Sequence, residues 1–202
     1  GKFIAINPIR TGYAAIADEW VPIKPGTDGA LLLALIHEII ALGLYDREFL
    51  ARYTNAGQLV NQDERSDAFG LMLRNAEGDL LNPLRPHNFW WWDRLTQAPV
   101  ADHAEGADPA LLGRFEMPDG TPAVPSFQLL EERVRPYTPE WAAGITGIPA
   151  ATIRRLAREM GITARDQKIE LPIAWTDSWG KEHDTVTGNP VSRLSAPIQP
   201  NS

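Results

Sequence analysis

The sequence predicts an α/β fold: a Rossmann-like parallel sheet flanked by helices, with a long irregular excursion in its middle. Three observations carry this prediction. Short apolar runs of strand length alternate with helical patterns over residues 2–42, giving strand, helix, strand, helix. A strongly amphipathic helix over residues 149–160 is followed by a further short apolar run at 169–174. Between these regions, residues 56–125 lose periodicity and fill with turn pairs such as Glu77-Gly78, Asn82-Pro83 and Asp119-Gly120.

Taken in order, residues 2–6 read as a buried strand, 11–18 as one or two helical turns and 19–23 as a second strand. Residues 28–42 read as a helix, apolar nearly all round and therefore expected to be buried on most faces. Gly43 sits where a helix C′ glycine belongs. Asp46 is placed to cap a short helix ending at Tyr53, with Phe49, Leu50 and Tyr53 on one face. In the excursion a hairpin is expected around residues 71–81. Helices resume at 126–135 and 139–144, the latter with Thr138 as N-cap and Pro139 at its first position. In the helix at 149–160, Ile153, Leu156, Ala157 and Met160 share one face, Arg154, Arg155 and Arg158 face outward, and Gly161 is expected to end it. The last strand is expected at 169–174. One domain is thus expected over residues 1–190, followed by a tail, VSRLSAPIQPNS, at 191–202.

Composition narrows the function classes. With 19 Lys and Arg against 26 Asp and Glu the net charge is −7, and the cations are dispersed, so no basic stripe recommends a nucleic acid. Absence of cysteine removes disulfides, thiolate zinc sites and a cysteine nucleophile. The longest apolar block, residues 30–36, is far short of the roughly 20 residues of a membrane span, so no membrane insertion is expected. The opening Gly-Lys-Phe carries no readable signal peptide and reads as the interior of something longer, and a cytoplasmic location is the expectation.

In a parallel α/β sheet, ligands gather at the carboxyl ends of the strands. Here those ends are Asn7-Pro8, Pro25-Gly26 and Thr176-Asp177. Pro25 fixes φ, Gly26 accepts a positive φ, and Thr27 or Asp28 is placed to cap the helix that follows. A helix N-terminus attracts anions, but Asp28 already occupies this one; that argues against a phosphate and suits a carboxylate aimed at a neutral donor. Pattern alone favours the plainer reading, in which Asp28 is only a cap. Further on, Trp179-Gly180 lets backbone approach a ligand closely and His183 can hydrogen-bond it, against the alternative of a surface turn. His37 reads as a satisfied histidine, and His87 and His103 have no partner at metal-ligand spacing, so no metal site is expected. The Trp90-Trp91-Trp92 run reads as packing under a loop rather than a stacking platform. Neither G-x-G-x-x-G nor G-x-x-x-x-G-K-[ST] occurs.

The run NPIRTGYAAIADEWVPIKPGTDGALLLALIHEIIALGLYDREFLARYTN resembles the cofactor-binding stretch of the molybdopterin oxidoreductases of the DMSO reductase and formate dehydrogenase superfamily. That stretch carries an Asp-Pro-Arg-x-Thr loop, an AD, a PGTD turn and a YD..FL..YT segment in this order. TGIPAATIRRLAREMG and PIAWTDSWGKEHDTVTG resemble the helix, strand and glycine loop that follow, and DPALLGRFEMPDG is a looser match in the middle. The resemblance implies that the chain is part of a catalytic subunit binding molybdopterin guanine dinucleotide, with molybdenum or tungsten in the parent enzyme. It implies that Asp28 accepts hydrogen bonds from a guanine edge, whose N1–H and N2 amino group one carboxylate spans, a charge-assisted pair of about 1.5–3 kcal/mol. Asn7 stands where the family usually has Asp, suited to a ribose hydroxyl, and Ile9 where it often has Arg, leaving Arg10 and Thr11 for phosphate or ribose contacts. The cofactor-binding candidates are therefore Asn7, Arg10, Thr11, Pro25, Gly26, Asp28, Trp179, Gly180 and His183. The implied partner is the remainder of the parent enzyme's catalytic polypeptide, and the isolated chain is expected to bind without catalysing. The alternatives are a free-standing Rossmann-like nucleotide module and a structural subunit without cofactor.

Overall fold

A computed structural model describes residues 2–75, 88–167, 169–176 and 180–188. The elements are β1 (Ile4–Ile6), β2 (Glu19–Val21), α1 (Asp28–Ala41), α2 (Arg47–Tyr53), β3 (Leu59–Asn61), β4 (Trp90–Asp93), β5 (Ala98–Ala101), β6 (Phe115–Glu116), β7 (Pro122–Pro125), α3 (Ser126–Val134), α4 (Pro139–Thr146), α5 (Ala150–Asp166), β8 (Ile169–Leu171), β9 (Trp175–Thr176), β10 (Glu182–His183) and β11 (Val186–Gly188). The fold is mixed α/β, in two compact units: Gly1–Tyr45 with Val134–Ser202, and Asp46–Arg133.

In the first unit β1 and β2 pair in parallel, with Ile4 opposite Glu19 and Ile6 opposite Val21. Helices α1, α4 and α5 pack together, and their core joins Val21 and Ile23 to Leu31, Ala34, Leu35, Ala142, Ile148, Ile153, Leu156 and Ala157. Arg155, expected to face water, instead pairs with Glu19 on β2 and with Glu159 at 3.0 Å. Lys2 meets Glu19 at 2.6 Å. That bond, against a small burial cost and with Arg155 helping, holds the Glu19 carboxyl below its ordinary range.

Four expectations for this unit need correction. The anticipated single parallel sheet is reduced among the described residues to the β1–β2 pair, and every other strand pairing is antiparallel. The run at 169–174 supplies only β8, which pairs antiparallel with β11. Gly161 does not end α5 but lies inside it; a Cβ there would sit 2.7 Å from Cβ of Leu44, so glycine is what lets the chain after α1 pass this close. Helix α1 is also less buried than its composition promises: Leu31, Ala34 and Leu35 are buried, but Leu32 and Ile36 are exposed.

The second unit takes in most of the expected excursion and is ordered by antiparallel strands. The sheet order is β3-β7-β6, and β4 and β5 form a separate hairpin. Leu59, Met117 and Ala123 form a small core with Leu73, Trp90, Trp92 and Phe115 packed on it; Trp92 and Phe115 stack at 4.5 Å. Trp91 is buried, so the tryptophan run packs inward. Asp46 caps α2 by accepting from the Phe49 amide. Much of the hairpin expected at 71–81 lies outside the described residues, although Met72 bridges Val60 and Arg74 bridges Phe89. The tail at 191–202 also lies outside them. Among the described residues no helix is long and apolar enough to cross a membrane.

Candidate functional site

Parallel pairing of β1 and β2 sends both carboxyl ends to one edge. The Asn7 amide donates to the carbonyl of Val21, so the chain leaving β1 and the chain leaving β2 start side by side. The second of these loops is held from below: the Lys24 amide donates to the Thr146 carbonyl at the end of α4. Pro25-Gly26 then turns the chain, with Gly26 at φ 76°, a value costly for any residue with a Cβ. The Thr27 hydroxyl donates back to the Lys24 carbonyl at 2.7 Å and closes the turn.

Closing that turn occupies the Thr27 hydroxyl. Thr27 holds the N-cap position without making a side-chain cap, and Asp28 is the first residue of α1 rather than its cap. The Asp28 side chain is exposed, and its carboxylate has no hydrogen-bond or ion-pair partner among the described residues. The plain capping role favoured by pattern is therefore not the one its side chain fills. An unengaged carboxylate at a helix N-terminus suits a neutral N–H donor pair, because the acceptor has no internal hydrogen bond to give up.

The other loop is built differently. The Asn7 side-chain oxygen accepts from the Ile9 amide at 3.4 Å, while its Nδ2 donates to the Tyr13 hydroxyl at 3.1 Å. Its backbone carbonyl accepts from Trp20 Nε1. Asn7 thus organises the loop, a turn role that Asn-Pro already hinted at. Arg10 is exposed, with no ion-pair partner among the described residues, and Thr11 is exposed at the start of a one-turn 3-10 helix, Gly12–Ala15, without capping it. Asn7, Arg10 and Thr11 lie in the loop after β1, and Pro25, Gly26 and Asp28 in the turn beyond β2; the two segments start side by side at Asn7 and Val21. Gly180 and His183 belong to a separate hairpin, β9–β10, where His183 stacks on Trp175 at 4.5 Å. Trp179 lies outside the described residues.

Sequence reasoning passed over one feature of the second unit. A cavity of about 290 Å³ is lined by Arg52, Tyr53, Trp91, His103, Ala104, Glu105 and Gly106. His103 adopts φ 59° and lies 5.0 Å from the Trp91 ring, while buried Trp91 Nε1 lacks a hydrogen-bond partner among the described residues. No spacing in the sequence signals it, since its residues converge from α2, β4 and the loop after β5. Among the described residues no group of His, Asp or Glu is arranged to hold a metal ion.

No family model matches the chain. Among curated proteins, it is 63% identical over 195 residues to a sulfite dehydrogenase subunit of Allochromatium vinosum, covering 95% of this chain and 20% of that one. It is 33% identical over 203 residues to the perchlorate reductase alpha subunit of Dechloromonas aromatica, covering 83% and 21%. With ArrA, the molybdopterin-containing polypeptide of the arsenate respiratory reductase of Chrysiogenes arsenatis, the identity is 30% over 170 residues, covering 81% and 14%. The chain spans about a fifth or less of the length of these relatives. By sequence it belongs to the molybdopterin oxidoreductases, as a segment of their catalytic subunits.

Proposed function

We propose that this chain is the part of a molybdopterin-dependent oxidoreductase that holds the guanine dinucleotide portion of the cofactor, and that it binds without catalysing by itself. The observation that carries the reading is the free carboxylate of Asp28, set at the start of α1 by the Pro25-Gly26 turn and left unused by the helix. Its two oxygens match the adjacent N1–H and N2 amino donors of guanine. Adenine presents no such donor pair. Arg10 and the Thr11 hydroxyl, on the neighbouring loop, would serve ribose or phosphate oxygens. Asn7 would shape that loop through its bonds to Ile9 and Tyr13. The residues present therefore fit the group. When bound, the cofactor supplies metal-centred redox chemistry; the residues here orient its nucleotide end. A Rossmann-like arrangement of the whole parent domain, with Gly180 and His183 drawn to the same cofactor, belongs to this reading. The relatives' breadth of substrates, from sulfite to perchlorate, fits a segment whose role does not depend on which substrate is turned over.

Calorimetric titration with GMP and AMP tests the proposal. The wild-type chain should bind GMP weakly and more tightly than AMP. Asp28→Asn should lower GMP affinity roughly 10- to 100-fold, the cost of losing one charged acceptor from a paired site. Equal GMP binding by wild type and variant, or equal binding of GMP and AMP, would overturn it.

A further inference from the structure

We infer that Lys24 is a phosphate-binding residue, which together with Arg10 meets the phosphate oxygens of the nucleotide whose guanine Asp28 accepts. The inference rests on the nucleotide-holding reading above and adds to it the residue that reads the charged half of the ligand. With a net charge of −7 the chain has carboxylates to spare for its cations, and in the first unit most of the described cations are taken. Lys2 and Arg155 pair with Glu19, Arg154 with Glu140 and Arg165 with Asp166, while Arg135 and Lys181 are also engaged. Those with no partner among the described residues are Arg158, on the outside of α5, and Arg10 and Lys24, in the two loops of the candidate site.

The two loop cations are placed alike. The Asn7 amide donates to the Val21 carbonyl at 3.2 Å where the loops begin; Arg10 follows Asn7, and Lys24 follows Val21, by the same short stretch of chain, within about 11 Å of that bond. Lys24 is fixed on both sides: its amide donates to the Thr146 carbonyl at 3.0 Å, and its carbonyl accepts from the Thr27 hydroxyl at 2.7 Å. Its methylenes run along Gly147, where a Cβ would come within 3.4 Å of Lys24 Cε. The stem is thus guided to Cε, which lessens the ordering cost of any bond the ammonium makes. An ammonium carries a full charge and three donors, which suits phosphate oxygens. The Asp28 carboxylate keeps an anion from the N-terminus of α1, so the phosphates of a nucleotide held there fall to these cations. The competing role is structural: a cation beside the last carbonyls of α4 favours the helix dipole, and that role would not distinguish a nucleotide from a nucleoside.

Inorganic pyrophosphate, guanosine and GDP are titrated calorimetrically against the full chain and its Lys24→Met, Lys24→Arg and Asp28→Asn variants, with the thermal midpoint of each recorded. Methionine keeps an unbranched stem over Gly147 and removes the charge. Lys24→Met should lower the affinity for GDP and for pyrophosphate roughly 10- to 100-fold and leave guanosine unchanged, and Lys24→Arg should restore most of the loss. Asp28→Asn should do the reverse, weakening guanosine and leaving pyrophosphate no weaker. Unchanged GDP and pyrophosphate affinity in Lys24→Met overturns the inference, and if the thermal midpoint falls at the same time the ammonium belongs to α4. An equal loss for GDP and guanosine, or a wild-type chain that binds neither GDP nor pyrophosphate, overturns it as well. Asp28→Asn without effect on guanosine, alongside an intact Lys24 effect on pyrophosphate, would instead overturn the guanine contact alone, so the two failures are told apart.

Discussion

Asp93→Asn should destabilise the second unit by about 2–3 kcal/mol at neutral pH, and the penalty should shrink in acid. Asp93 ends β4 with 3% of its surface exposed, and its carboxylate accepts four hydrogen bonds. Leu95 N and Thr96 N donate at 3.1 Å, the Thr96 hydroxyl at 2.7 Å and Asp108 N at 2.9 Å. Burial opposes ionisation, but the Asp108, Thr96 and Leu95 donors outweigh it and hold the carboxyl down to about 2, from 3.8. At about 1.36 kcal/mol per pH unit this difference caps the ionisation-linked contribution at about 2.5 kcal/mol, and solvent close to the loop reduces it to about 1–2. Because the folded value is depressed, the contribution is fully present above pH 4 and is lost as pH falls toward 2. Asparagine keeps the shape, but it has one acceptor oxygen instead of two and turns an N–H₂ group toward donors. The assay is urea titration at pH 7, 5 and 3, with pulsed hydrogen exchange resolving residues 90–101. Wild type and variant should differ by the full amount at pH 7 and 5, and the gap should narrow by about 1 kcal/mol at pH 3. A gap independent of pH, or none at pH 7, would show that the network does not depend on the carboxylate.

Two further outcomes follow from the first unit. Gly161→Ala would gain about 1 kcal/mol of helix propensity, but the new Cβ lies 2.7 Å from Leu44 Cβ and 2.9 Å from Leu44 Cδ1, and overpacking at such contacts costs about 1–3 kcal/mol. Leu44 cannot easily yield, because its amide is tied to the Ile39 carbonyl, so a net lowering of thermal midpoint is expected; a rise would refute the close approach. Leu35→Asp puts an unpaired charge between α1, α4 and α5 and should unfold this unit, by a loss of about 3–5 kcal/mol or more, visible as absent cooperative melting.

What could be read from the chain was local. The capping of α2 by Asp46 and of α4 by Thr138, the face of Ile153, Leu156 and Ala157, and the Pro25-Gly26 turn all depend on residues within a few positions of one another. What escaped depends on distant partners. Gly161 looks like a stop signal until Leu44 is seen against it. The antiparallel pairings of residues 59–125 join runs too short to show a period, and Asp93 reads as one more charge after three tryptophans until Asp108 arrives at its side chain. At the candidate site, sequence placed three loops on one edge, of which the one at Thr176 instead follows β9, a strand paired antiparallel with β10, and it left Asp28 between cap and ligand. The hydrogen bond from Thr27 to Lys24, and the unengaged carboxylate beside it, are the observations on which the proposed ligand role rests.

Asp28 begins α1 with its side chain exposed, and this sets how strongly the isolated chain can bind. Water competes at both oxygens of Asp28, and a hydrogen bond exchanged against water is worth only about 0.5–1.5 kcal/mol, or about 1.5–3 with a charged acceptor. The affinity of the isolated chain for GMP should therefore be weak, and the factor lost in Asp28→Asn should stay within the roughly 10- to 100-fold that one such contact carries; a larger loss would show that Asp28 does more than accept from the guanine edge.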